Sequence, residues 1–245
     1  MMNAITIRFI VFACVFGAAL FGMFLRTVLP EQHLSADSKD TVRLGMGTIA
    51  TMAALVLGLL VASAKNFYDT QSSDLTELSA NVILLDRILA YYGPETKEVR
   101  DLLRTGVVRQ LDLMWHKDYQ ILSQTDPTAG AAEVLKTIQA LSPKNDAQHT
   151  LQAQALSMAF SLGNERWLMF QQESNSISLP LLAMLVFWLA IVFAGFGLFA
   201  PANTTVVATL FLCAIAVSGA IFLIGELYTP FEGLIQLSDA PLRNA

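Results

Sequence analysis

Four stretches of this chain are long and apolar enough to cross a lipid bilayer, and no other feature restricts its fold as strongly. They are Ile5–Leu29, Leu44–Ala64, Leu179–Ala200 and Thr205–Tyr228. Each reaches the roughly 20 apolar residues that cover about 30 Å of hydrocarbon. In lipid a backbone must satisfy its own N–H and C=O groups, so each stretch is expected to be a helix. Composition agrees: 54% of the 245 residues are hydrophobic and 14% charged, against about 25% charged in an ordinary soluble domain. The apolar residues gather towards the two ends and leave a polar middle. The first stretch is read as a span and not as a cleaved signal, because its apolar run continues past any cleavage point to Leu25. Val11-Phe12-Ala13-Cys14 makes a poor lipoprotein box, with a phenylalanine before the small residue. Cys14 and Cys213 fall inside apolar blocks without a partner motif and are expected to be buried small hydrophobes.

The predicted fold is an all-α membrane protein of four transmembrane helices, with a helical-bundle domain inserted between the second and third spans. Residues 1–64 hold the first two spans and an outer loop at 30–43. Residues 65–178 form the bundle, 179–228 the last two spans and 229–245 a tail. With four spans, the N-terminus, bundle and tail share one side of the membrane. Ten of the fifteen Lys and Arg lie in the middle segment, counting Lys65, and Arg8 and Arg243 join them. The opposite side holds Arg26, Lys39 and Arg43, and the Pro201–Thr204 turn has no basic residue. The positive-inside rule therefore places the bundle and both termini in the cytoplasm, here that of a bacterial inner membrane.

The middle segment has helical periodicity throughout. Leu75, Leu78, Val82, Leu85, Leu89 and Tyr92 alternate spacings of three and four, a heptad seam. Gly93-Pro94 stops that helix, and Val99, Leu103, Val107, Leu111 and Met114 mark the next. That helix frays near Gln124, and Asp126-Pro127 and Gly130 read as a loop. A short helix runs to Leu141, Ser142-Pro143 breaks it, and Leu151, Ala155, Met158 and Leu162 carry the last.

Several motifs together resemble the bacterial bestrophin-like membrane proteins over nearly the whole chain. They begin with Leu29-Pro30-Glu31-Gln32-His33-Leu34, Asp37-Ser38, Asp40 and Val42-Arg43-Leu44-Gly45-Met46-Gly47, leading into Ala54-Leu55-Val56-Leu57-Gly58-Leu59-Leu60. Ala64-Lys65, Leu85-Asp86-Arg87 and Tyr92-Gly93-Pro94-Glu95 follow, then Glu226, Pro230-Phe231, Gly233 and Ala240-Pro241-Leu242. The resemblance implies a likeness to the bestrophin anion channels, which place a cytosolic helical domain between their second and third spans. The sequence departs from that pattern in lacking a phenylalanine- and isoleucine-rich neck and an acidic calcium clasp. Gln32 stands where a second histidine is usual, and Tyr228 where an aspartate is.

Four sets of residues are candidates for function. Ala50, Ala54, Gly58 and Ala62 form a small-residue ridge on the second span, suited to close helix packing within the chain or between subunits. Thr48, Thr51, Leu55, Leu59 and Ser63 share a face beside it. That face suits a pore with a hydrophobic constriction, or else its hydroxyls satisfy helix carbonyls inside a bundle. Glu226 is the acidic residue within an apolar block, read either as an intramembrane functional group or as a structural one paired with Lys65. Glu31, His33, Asp37 and Asp40 crowd the first loop, where they suit a cation mouth or a divalent cation. Ser35 and Asp37 equally suit capping of the second span, and Arg43 suits pairing with Asp40. No Ser/His/Asp set, zinc spacing or catalytic carboxylate pair is recognisable, so an enzyme is not expected. Apart from that divalent cation no cofactor is implied. Lipid, inorganic ions and further copies of the chain are the expected partners, and with a formal charge of -5 and no basic run, nucleic acid is not. The expected function is a homo-oligomeric ion channel, its pore nearest the second span. The alternative is a non-conducting scaffold or sensor whose cytoplasmic bundle binds a protein partner.

Overall fold

The computed structural model describes residues 4–30, 36–115, 129–173, 179–201, 203–231 and 233–243. Every regular element among them is helical: α1 (Ala4–Val28), α2 (Ala36–Tyr92), α3 (Lys97–Trp115), α4 (Ala129–Gln139), α5 (Asp146–Glu173), α6 (Leu179–Phe199), α7 (Thr204–Leu227) and the short α8 (Ala240–Arg243). One 3-10 turn, Pro94–Thr96, lies between α2 and α3. Four of the helices, α1, α2, α6 and α7, are long and apolar enough to cross a membrane. The chain divides into two compact units, Met1–Tyr68 with Ile177–Thr229, and Asp69–Ser176 with Pro230–Ala245. Helix α2 contributes to both.

In the first unit, α1 packs against α6 and α7. Val11, Val15 and Ala19 recur every four residues on α1 and are buried against Leu182, Leu185 and Phe193 of α6 and Leu210, Ala214 and Ile221 of α7. The α1–α6 crossing is set by one pattern used twice, Ala19-x-x-Gly22 and Ala194-x-x-Gly197. A Cβ on Gly22 would overlap the Ala194 carbonyl, and one on Gly197 the Ala19 carbonyl, so the two backbones touch directly. Phe12, Phe16 and Phe211 join α1 to α7, with Phe211 edge-on to both partners at 5.5 and 5.4 Å between ring centroids. Asn203 caps α7, its side chain accepting from the Val206 N–H at 2.9 Å. Arg26 donates to the Ala200 carbonyl just past the end of α6, where the helix dipole is negative.

In the second unit, all six residues of the heptad seam from Leu75 to Tyr92 are buried, as are Ala155, Ala159 and Leu162 of α5. Helix α2 ends at Gly93, whose φ of 137° suits glycine. Thr96 locks the turn: its one hydroxyl proton is shared between the carbonyls of Leu89 at 2.6 Å and Gly93 at 2.8 Å. Gln148 Nε2 donates to the Tyr92 carbonyl at 3.0 Å, and Asn81 Nδ2 donates to Glu165 Oε1 at 2.8 Å. The tail belongs to this unit. Trp115 Nε1 donates to the Leu237 carbonyl at 3.1 Å, and the Trp115 ring meets Phe231 edge-on at 5.3 Å.

Three sequence expectations change. Helix α2 starts at Ala36, inside the segment 30–43 expected as a loop. Gly130 lies inside α4 and not in a loop. Cys14 and Cys213 are exposed on the unit's surface, not buried. A small apolar side chain gains nothing by turning inward where the surrounding solvent is lipid. Gln124, Asp126 and Pro127 lie outside the described residues, as do Gln32 and Ser35.

Candidate functional site

Within the first unit the apolar stretch of α2 has two unequal sides. Met46, Ala53, Leu60 and Ala64, spaced by seven, seven and four, are buried against the rest of the unit. At 100° per residue this leaves the opposite side uncovered. Thr48, Thr51, Leu55, Leu59 and Ser63 are all exposed, Leu55 by 70% and Leu59 by 67%. Ala54, Gly58 and Ala62 of the small-residue ridge are exposed too, and Ala50 is half-buried. A Cβ on Gly58 would meet nothing within 4 Å, so the close backbone approach in this unit is made at Gly22 and Gly197 instead. The repeated Ala-x-x-Gly of α1 and α6 is the signal that sequence reasoning passed over.

The hydroxyls on the exposed side differ in how they are bonded. Thr48 Oγ1 donates to the Leu44 carbonyl at 3.2 Å, and Thr51 Oγ1 donates to that of Gly47 at 2.9 Å. Ser63 Oγ lies 3.1 Å from the Tyr228 hydroxyl. Tyr228 also stacks on Phe67 at 5.3 Å between centroids and 29° between planes. Nearby, Lys65 Nζ sits over the Tyr68 ring at 5.6 Å, and Arg8 over the Phe222 ring at 5.4 Å. Glu226 is 3% exposed and is enclosed in the unit with Gly225 and Leu227, so it does not face the surroundings.

Of the first-loop residues, Glu31 and His33 lie outside the described residues. Asp37 falls in the first turn of α2, and Asp40 pairs with Arg43 at 3.9 Å, both side chains largely in solvent. Among the described residues no three His, Cys, Asp or Glu side chains gather as a metal site.

Ion pairs lie at the surface of the second unit. Arg100 holds Asp86 through two hydrogen bonds of 2.7 and 2.9 Å, which lowers the Asp86 carboxyl and raises the guanidinium. Lys144 bonds Glu95 at 2.7 Å with the same opposed shifts. Burial pushes Asp74 up, with Glu77 adding to it; burial and then the Arg109 charge push Arg166 down. An open groove on α3 is lined by Glu95, Lys97, Glu98, Asp101, Leu102 and Thr105.

Four apolar helices and an α2 side left bare by its own chain define a polytopic helical membrane protein. A family model, the Bestrophin-like domain, matches residues 13–242, and the chain belongs to that family. Searches of curated proteins and of solved structures each returned no match.

Proposed function

We propose that the protein is a homo-oligomeric ion channel of the bacterial inner membrane, in which the exposed side of α2 lines a path between subunits. The observation that carries this reading is the bare side of the second span, with Thr48, Thr51, Leu55, Leu59 and Ser63 all uncovered while the other side packs. Leu55 and Leu59 supply the narrow, dewetted part, and the ridge of Ala50, Ala54, Gly58 and Ala62 packs against the next subunit. Residues 65–178 form a helical bundle inserted between the second and third spans, on the cytoplasmic side with both termini. Catalysis forms no part of the reading. Family membership supports the channel reading. The alternative is a non-conducting scaffold or sensor, supported by the apolar residues that the second unit exposes, among them Leu84, Tyr91 and Phe160.

Flux through liposomes holding the purified protein separates the two. Leu55→Ser should hydrate the constriction and raise flux, with assembly size unchanged by light scattering. Gly58→Leu should reduce that size. If a cation is carried, Asp37→Asn with Asp40→Asn should lower flux at low salt and matter less near 1 M, where the Debye length is about 3 Å. No flux from the wild type and all variants would leave the scaffold. Topology is read separately: with Cys14 and Cys213 replaced, Asn145→Cys should resist impermeant thiol reagents in intact cells and Gln32→Cys should react.

A further inference from the structure

A hydroxyl carries one proton, and where it goes decides what the group offers a passing ion. Thr48 and Thr51 donate theirs to carbonyls of their own helix, so they present only lone pairs outward. Ser63 turns instead to Tyr228, the residue that caps the C-terminal end of α7. Two hydroxyls joined by one hydrogen bond hold two protons and use one. One O–H therefore remains to be donated, beside the exposed Ser63 at the C-terminal end of the second span. The same tyrosine fixes the geometry, because its ring stacks on Phe67, one helical turn beyond Ser63. Removing the Tyr228 hydroxyl would leave the stack in place. Ser63 would then be free to donate to its own helix, as the two threonines do.

We propose that Tyr228 is a positioning residue for the conduction path: the half-buried tyrosine donates to Ser63, so that the exposed serine keeps its own O–H facing the permeating ion. The donor favours ions that accept hydrogen bonds, so the pair sets the balance between anions and cations at this end of the path. This inference rests on the channel reading.

The test is the chloride-to-potassium permeability ratio, taken from reversal potentials of the full-length protein in bilayers under a KCl gradient. Tyr228→Phe and Ser63→Ala should each lower the ratio by about fivefold, the net worth of one hydrogen bond. The double variant should fall no further, because each single change already removes the same outward O–H, Ser63→Ala by deleting it and Tyr228→Phe by returning it to the helix. Assembly size should stay that of the wild type, since the Phe67 stack survives. An unchanged ratio in Tyr228→Phe, or single effects that multiply in the double variant, overturns the proposal while leaving the channel. If Tyr228→Phe fails to fold, Ser63→Ala reads the same bond from its other end, and an unchanged ratio there overturns the proposal equally. No current from the wild type or from Leu55→Ser removes the channel reading, and the proposal with it.

Discussion

The two units of this protein are held together by different means. In the first, the closest approaches are between backbones, at Gly22 against Ala194 and Gly197 against Ala19, with stacked phenylalanines filling the remaining space. In the second, leucines interlock along a heptad seam, and side-chain hydrogen bonds tie the helix ends and flanks: Thr96 to Leu89, Gln148 to Tyr92, Asn81 to Glu165. The contrast follows from the solvent each sequence is built for. Among lipid tails a leucine gains nothing by leaving its surroundings for a protein interior, so close packing of small residues has to supply the attraction. In water, withdrawal of leucines supplies it, and polar groups then fix register.

Substitutions that exchange one device for the other should expose the difference. The largest effect is expected at the α1–α6 crossing. Gly22→Leu or Gly197→Leu would drive a side chain into a carbonyl, costing more than the about 3 kcal/mol of ordinary overpacking. Loss of monodisperse protein in detergent would show it, and normal yield with an unchanged melting curve would erase the contrast. Next comes Leu85→Ala, at a fully buried seam position, with about 3 kcal/mol lost as faster amide exchange in the second unit. Thr96→Val, nearly the same in shape, should cost about 1 kcal/mol by leaving the Leu89 carbonyl without its donor, again read by exchange at the α2–α3 turn.

The smallest effect is electrostatic. The Arg100 pairing holds Asp86 below its usual value, so its contribution is present above about pH 4, the ordinary carboxylate range. It is lost as pH falls through the lower folded value. Both side chains are about a third or more exposed, so solvent screening limits it to under about 1 kcal/mol. Asp86→Asn should flatten that part of the acid-denaturation curve, and an unaltered curve would mean that the pair contributes nothing.

Much of the fold was legible because length and periodicity carry it. Four runs are both long and apolar enough to cross a bilayer, and spacings of three and four from Leu75 to Tyr92 admit one buried seam. Which side of α2 faces inward was not legible. Ala53, Ala54, Gly58 and Ala64 are small on both sides, and where the solvent is as apolar as the core, no contrast marks the buried face. The exposure of Cys14 and Cys213 escaped for the same reason. The hydroxyl side could be named from its 100° steps, but the link from Ser63 to Tyr228 joins positions 165 apart. No local pattern announces such a contact.

The bond from Trp115 to Leu237 spans 122 residues, and the last two apolar helices lie between its ends. A ribosome adding about 5–20 residues per second takes on the order of ten seconds to cover that distance. Through that interval α3 has emerged while the Phe231 and Leu237 that will cover Trp115 have not been made. The second unit is therefore completed last, after α6 and α7 have left the ribosome. A message truncated after Thr229 would encode the four long apolar helices and still leave Trp115 without Phe231 and Leu237, a less covered ring for chaperones and proteases to find.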